Sequence, residues 1–163
     1  MKIKLIVFIL LITIFGVLAV VGQTNNSRGG GESFTVYLSI SLGVLPDNIH
    51  LLPQNLHELV PEDGYILHQT GVAAYYGDTV FDLLLRETRA AGIHMAFRNV
   101  PMFNSAYIEG INNIFEFDAG PLSGWMYRVN DWFPNFGSSD YLLSSGDIVE
   151  WIYTIDLGRD ISY

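Results

Sequence analysis

Apolar and polar residues alternate from residue 33 onward, and this two-residue period predicts that most of the chain forms β-strands. Residues 33–42 place five apolar side chains on one face of a first strand: Phe34, Val36, Leu38, Ile40 and Leu42. Residues 65–77 predict a second strand. The connection between the two contains three prolines, so no long helix fits there.

One segment, residues 79–92, has the period of a helix. Thr79 and Asp82 have the spacing of a capping box at its start, and Gly92 supplies a stop at its end. The apolar stripe of this segment consists of Val80, Phe81, Leu84, Leu85 and Thr88. We therefore expect one main helix in the chain.

Five further segments alternate and predict strands: residues 93–98, 106–111, 114–117, 124–130 and 148–155. The last is apolar on both faces, as in a central strand that is covered on both sides. This order of elements predicts an α+β fold with one main helix packed on a mixed sheet. Since one helix covers one face of a sheet, the other face must be polar, be covered by loops, or bind something.

The first 32 residues have a different character. Lys2 and Lys4 precede an uncharged apolar run, residues 5–22, which is typical of a secretory signal. As a helix this run would be about 27 Å long, nearly enough to span a bilayer. Residues 1–22 are therefore either a cleaved signal peptide or a membrane anchor. Residues 23–32 predict a flexible linker and residues 33–163 the folded domain, located at the cell surface or outside the cell.

The net charge and the cysteine content limit which binding partners and which kinds of site are expected. After residue 22, six arginines stand against 17 acidic residues, a formal charge of −11. Such a surface repels nucleic acid and anionic lipid, so we expect membrane contact only through the N-terminal segment. The chain has no cysteine, which excludes disulfides and thiolate metal sites.

No catalytic or metal-binding pattern is present in the sequence. The four histidines have no ligand spacing: His50, His57, His68 and His94. The acidic residues after residue 139 lack the oxygen spacing of a calcium loop. Asp118 with Glu150 is the one carboxylate pair we considered for acid–base catalysis, and no motif supports it. We expect no enzyme, no metal site and no resident cofactor.

Aromatic residues are concentrated between residues 115 and 153, which include all three tryptophans. In the predicted strand 124–130, alternation places Trp125 and Tyr127 on one face and Arg128 and Asn130 on the other. An aromatic face on a strand is compatible either with a core or with a binding site.

The aromatic residues that follow this strand lie in a different context. Trp132, Phe133 and Phe136 fall in an irregular connection, and loops run over the surface. They either fold back to cap the sheet or form a binding patch for a flat or extended ligand. In the last strand, Trp151 and Tyr153 share one face.

Two motifs in this region resemble the transcobalamin-like C-terminal domain family of exported Firmicutes proteins: residues 123–130 (SGWMYRVN) and 146–153 (GDIVEWIY). The resemblance covers about residues 77–163. It implies a β-grasp-like fold, like the smaller domain of the vertebrate cobalamin carriers, which closes over one side of the corrinoid. We do not expect the large helical domain of those carriers in this chain. A second departure is Asn130-Asp131, where a tight type I′ hairpin would have Asn-Gly.

These observations give two hypotheses. The first is a non-enzymatic, exported or surface-tethered binding module, and the resemblance implies a corrinoid or cobalamin-type small molecule as its ligand. Its candidate ligand-binding residues are Trp125, Tyr127, Arg128, Asn130, Trp132, Phe133, Trp151 and Tyr153. The alternative is a surface interaction or adhesion domain, whose aromatic patch binds another protein or a cell-wall polymer.

Overall fold

A computed structural model gives the fold of residues 32–101 and 105–161. The predicted signal or anchor, residues 1–22, and all of the predicted linker except Glu32 lie outside these described residues. Within the described ranges, no helix combines the length and apolar character needed to cross a membrane.

Across the described ranges the chain forms seven strands and one α-helix, with two short 3₁₀ segments, Pro46–Leu51 and Gln54–Leu59, after the first strand. In chain order the elements are β1 (Ser33–Ser41), β2 (Tyr65–Tyr75), α1 (Val80–Ala91), β3 (Met95–Val100), β4 (Ser105–Ile111), β5 (Ile114–Phe115), β6 (Gly124–Val129) and β7 (Ile148–Thr154). The predicted α+β class with one main helix is confirmed.

The strands form two sheets, whereas the sequence predicted one. The first has the order β2-β1-β7-β6 and is mixed, because β1 pairs with β7 in parallel and the other neighbours are antiparallel. The second has the order β3-β4-β5 and is antiparallel. Alternation identifies strands but not their partners. In the described chain no ladder joins β4 to β6, so the sheet divides between them.

β7 is a central strand, as its two apolar faces predicted. It lies between β1 and β6, and five of its seven residues are buried. On the face directed away from α1, Arg128 of the edge strand β6 donates to both carboxylate oxygens of Glu150 at 2.5 and 3.0 Å. An ion pair therefore links β6 to β7 on the sheet face opposite the helix.

The ends of α1 form as the sequence predicted. Thr79 Oγ1 accepts from the Asp82 N–H at 3.1 Å, Asp82 Oδ2 accepts from the Thr79 N–H at 3.0 Å, and Gly92 adopts φ 69°. The buried face is rotated from the predicted stripe, because Leu83 is fully buried while Phe81 is only half-buried. This face belongs to one hydrophobic cluster with inward residues of both sheets.

Thr79→Ala is expected to lower the free energy of unfolding by about 1 kcal/mol, because the first turn of α1 loses its side-chain acceptor. Chemical denaturation measures the change. Thr79→Ser keeps the hydroxyl and serves as the matched control. Equal stability of the serine and alanine variants would contradict the capping role.

Candidate functional site

A two-residue turn joins β6 to the aromatic loop, residues 131–141. Asn130 and Asp131 have φ values of 52° and 64°, and Val129 and Trp132 exchange backbone hydrogen bonds of 2.9 and 3.0 Å. Both turn residues thus adopt the positive φ that a type I′ turn requires, although neither is glycine. This turn places Trp132 directly after the edge strand β6.

Asn130, a predicted ligand contact, uses its side chain within the protein. Its Nδ2 donates to Asp147 Oδ1 at 2.9 Å, and its Oδ1 accepts from the Ile148 N–H at 2.9 Å. The amide therefore fastens the turn to the start of β7. Arg128 also uses its side chain within the protein, because it forms an ion pair with Glu150. This contact raises the pKa of the Arg128 guanidinium above its usual value.

The aromatic loop carries a ladder of rings that leads from solvent into the core. The Trp132 ring lies 6.0 Å from Phe136, and Phe136 stacks on Tyr141 with centroids 6.0 Å apart. Tyr141 meets Tyr127 at 6.4 Å, and Tyr127 lies 5.5 Å from Trp151. Trp132 is 52% exposed and Phe136 43%, whereas Tyr127 and Trp151 are buried. Phe133 is half-buried.

Two hydrogen bonds hold the aromatic loop against the strands. The Tyr127 hydroxyl donates to the Phe136 carbonyl at 2.9 Å, and Ser139 Oγ accepts from the Ala106 N–H of β4 at 3.0 Å. Burial raises the pKa of the Tyr127 hydroxyl above its usual value, because the charged form is poorly solvated there. The Tyr127 side chain therefore holds the backbone of Phe136 in place.

The predicted residues Trp125 and Tyr153 tie the two sheets together. Trp125 Nε1 donates to the Ile114 carbonyl at 2.9 Å, and the Tyr153 hydroxyl donates to the Phe115 carbonyl at 2.8 Å. Their rings pack edge to face, 5.2 Å apart. Because Tyr153 is fully buried, its ring and hydroxyl belong to the core.

A cavity of about 460 Å³, the loop cleft, opens between the aromatic loop and the start of β4. Phe136, Pro134 and Asn135 form one wall, and Tyr107 with Val100 forms the other. Apart from the aromatic residue Phe136, these residues were not singled out from the sequence. They come from segments about thirty residues apart, and only the strand arrangement brings them together.

The loop cleft is neutral to acidic. Asp140 is the charged residue among the described residues that line it. Tyr107 donates from its hydroxyl to Glu116, and the Arg98 guanidinium lies 4.8 Å from the centre of its ring. The cleft therefore favours neutral or cationic ligands over anions.

Tyr107, which lines the loop cleft, makes the stability of the protein depend on pH in the alkaline range. Burial first, and then the Glu116 carboxylate, raise its pKa to about 12, above the value of about 10 for an unfolded tyrosine. The native state thus holds this proton more tightly, and its stabilising effect is lost as the pH rises from about 10 to about 12.

We therefore expect the melting temperature to fall through this pH range, and to fall less in Tyr107→Phe. Some decline remains in that variant, since burial also raises the pKa of Tyr141 and Tyr153. An identical pH profile for the variant and the parent protein would contradict the assignment.

No metal centre is found in the described ranges, where no three histidine or acidic side chains are grouped to bind an ion. The carboxylates of Asp118 and Glu150 serve other contacts. Asp118 accepts from the Phe115 N–H at 2.7 Å, and Glu150 pairs with Arg128. The arrangement offers aromatic contact and hydrogen bonding.

Comparison with solved structures finds similarity to two proteins. Haptocorrin, in a crystal structure of its complex with Cbi, matches 83% of this chain with a TM-score of 0.57 and 11% identity. The match covers 28% of the haptocorrin chain, so this chain spans a minor part of that protein's length. A candidate metal-binding protein from Ruminococcus gnavus matches 74% of this chain and 96% of its own, with a TM-score of 0.46 and 9% identity.

Sequence comparison matches part of the chain to a family. No curated protein matches the chain. Residues 77–154 match the family described as a domain of unknown function, DUF4430. Over these residues the chain matches DUF4430, and its resemblance to a transcobalamin-like domain is confirmed.

Proposed function

We propose that residues 33–163 form a non-enzymatic binding module that holds a flat small molecule at the loop cleft, with a corrinoid as the first candidate. One observation carries this proposal. The exposed ring of Phe136 lines an open cavity of about 460 Å³ together with Tyr107, and the half-exposed ring of Trp132 lies 6.0 Å from the Phe136 ring. Clefts of this size with apolar walls and a few polar groups are the usual sites of small ligands.

Capping of the sheet does not explain the position of Trp132. Trp125 and Trp151 pack against Tyr153 and Tyr127, but Trp132 leaves half of its surface in water. Burial of that surface against a ligand face would be favourable. In this proposal Trp132 and Phe133 contact the ligand, Tyr127 and Trp151 support the loop, and Arg128 and Asn130 hold the edge strand.

The fold supports the choice of a corrinoid for the first test. The order β2-β1-β7-β6, with a central parallel pair and a helix after the first hairpin, is the arrangement expected of a β-grasp-like domain. The similar haptocorrin structure was solved with Cbi. At 11% identity this likeness supports the fold alone, so the ligand has to be tested directly.

The proposal includes export. It rests on the N-terminal sequence, in which two lysines precede an apolar run, with residues 1–22 as signal or anchor and 23–32 as linker. Mass spectrometry of the N-terminus from fractionated cells tests it. We expect the protein outside the cytoplasm, with residues 1–22 either removed or held in the membrane fraction. An intact chain in the cytosol would overturn export.

Titration of the full-length protein with cobinamide tests the binding function. We expect saturable quenching of tryptophan fluorescence, because a bound corrinoid would lie against Trp132. Free N-acetyltryptophanamide corrects for absorption of light by the ligand. Absence of corrected quenching at high micromolar cobinamide would overturn the corrinoid assignment, and retention of the protein by a cell-wall fraction would then favour the interaction-domain alternative.

A further inference from the structure

Nearly all acidic side chains between residues 105 and 161 are paired, and the exception lies in the loop cleft. This segment contains nine aspartates and glutamates. Eight of them accept a hydrogen bond or form an ion pair within the protein: Glu109, Glu116, Asp118, Asp131, Asp147, Glu150, Asp156 and Asp160. The carboxylate of Asp140, which lines the cleft, has no such partner among the described residues.

A tight turn places the Asp140 carboxylate at the surface of the loop cleft. The Asp140 N–H donates to the Gly137 carbonyl at 3.0 Å. A side chain built at Gly137 would lie 3.5 Å from Asp140 Oδ2, so this oxygen lies near the Gly137 backbone, which also lines the cleft. Asp140 is exposed. Its carboxylate is therefore accessible to a ligand in the cleft.

Aromatic rings accompany this carboxylate in the walls of the cleft. Phe136 and Tyr107 line the same cavity and are 43% and 41% exposed. The Arg98 guanidinium lies 4.8 Å from the centre of the Tyr107 ring, so this ring already accepts a cation on one face. Val100 and Pro134 supply further apolar surface. The cleft thus combines one unpaired negative charge with exposed aromatic rings and apolar walls.

We infer that the loop cleft binds a quaternary ammonium group of its ligand and that Asp140 selects for the positive charge. This inference rests on the proposed binding function and adds a chemical class to it. The faces of aromatic rings attract cations, and a carboxylate beside them adds attraction between opposite charges. The methyl groups of the ammonium would pack against the apolar walls. No lysine, arginine or histidine is among the described residues that line the cleft, so no lining residue offsets the charge of Asp140.

Two other kinds of cation fit the cleft less well. A metal ion needs several oxygen ligands, and no three acidic or histidine side chains are grouped in the described ranges. A primary ammonium has three N–H donors, and each of them needs an acceptor once it leaves water. Asp140 is the one ionised acceptor among the described lining residues. A quaternary ammonium has no N–H group, so its transfer from water into the cleft costs less.

Choline and 3,3-dimethylbutan-1-ol form a matched pair of probes, because the alcohol has the same shape with a carbon atom in place of the charged nitrogen. The full-length protein is labelled with ¹⁵N, and the amide signals of residues 135–140 are followed during titration. We expect both probes to shift these signals, with choline binding about tenfold more tightly. Equal affinity for the two probes, or shifts only outside the cleft, would overturn the inference.

Substitution of Asp140 isolates the effect of its charge. Asp140→Asn keeps the shape of the side chain, and we expect it to weaken choline binding about three- to fivefold while the affinity for the alcohol stays unchanged. Asp47→Asn is the matched control, because Asp47 is exposed on the first 3₁₀ segment and does not line the cleft. Equal losses in the two variants would indicate general attraction to an acidic surface and would overturn the role of Asp140.

Ethanolamine tests the class of ammonium group. It carries a primary ammonium where choline carries a quaternary one, and both have the same positive charge. We expect ethanolamine to bind more weakly than choline, because its N–H groups lose water without enough acceptors in the cleft. Binding of ethanolamine as tight as that of choline would overturn the quaternary class.

Titration with cobinamide separates this inference from the proposed function. Cobinamide is added to the parent protein alone and in competition with choline. Displacement of bound cobinamide by choline would support a shared site in the cleft. Cobinamide binding together with an absence of choline shifts would leave the binding function intact and overturn the ammonium site. Choline binding that depends on Asp140, without any cobinamide binding, would support the inference and count against the corrinoid.

Discussion

Tyr153→Ala is expected to lower the free energy of unfolding by about 3–5 kcal/mol, a large part of the roughly 5–15 kcal/mol that is typical of a folded domain. The side chain is fully buried in a cluster with Leu42, Leu45 and Ile114. Its removal leaves a large cavity and also frees the Phe115 carbonyl that its hydroxyl holds. Chemical denaturation of purified protein measures the loss.

Tyr153→Phe separates packing from hydrogen bonding. It keeps the ring and removes the hydroxyl, so the expected loss is smaller, about 1–2 kcal/mol. Should the alanine variant keep the parent unfolding midpoint and lose ligand binding instead, Tyr153 would be a ligand contact, as its place among the predicted site residues first suggested.

Trp132→Ala is expected to weaken cobinamide binding about ten- to thirtyfold and to leave the melting temperature nearly unchanged. The ring is half exposed, so its removal opens no cavity in the core. Large aromatic contacts at a binding site commonly contribute about 1.4–2 kcal/mol, which corresponds to this change in affinity. Calorimetric titration measures the affinity without tryptophan fluorescence, which the substitution itself alters.

Tyr76→Ala is the matched control for Trp132. Tyr76 is 75% exposed and packs its ring on Phe34, outside the loop cleft. It tests whether loss of any exposed aromatic residue reduces affinity. Equal affinity of Trp132→Ala and the parent protein would remove the aromatic loop from the proposed site.

Local patterns in the sequence identified the elements correctly. The capping box of Thr79 and Asp82 and the left-handed Gly92 depend on residues close in the chain, so spacing alone reveals them. The alternation in β1 and the two apolar faces of β7 were equally informative, because each follows from burial of that strand. Strand pairing is not local, and the division into two sheets was therefore missed.

The candidate site was harder to predict from the sequence than the helix and the strands. The position of Trp132 in a loop allowed the prediction that it is exposed. Burial of Trp151 and Tyr153 depends on which strands cover them, and the sequence does not show this. Tyr107 and Ser138 line one cavity because β4 lies beside the edge of β6, and no spacing in the chain indicates this. The concentration of aromatic residues indicated the region of the candidate site. Tertiary packing decides which of these residues are exposed and which are buried.

The parallel pairing of β1 with β7 has a consequence for biosynthesis. Tyr37 lies opposite Ile148, so the central strands of the main sheet join segments more than a hundred residues apart. During translation β1 has no central partner until β7 leaves the ribosome, and such distant pairing slows folding. We therefore expect the main sheet to be completed only after β7 has been synthesised.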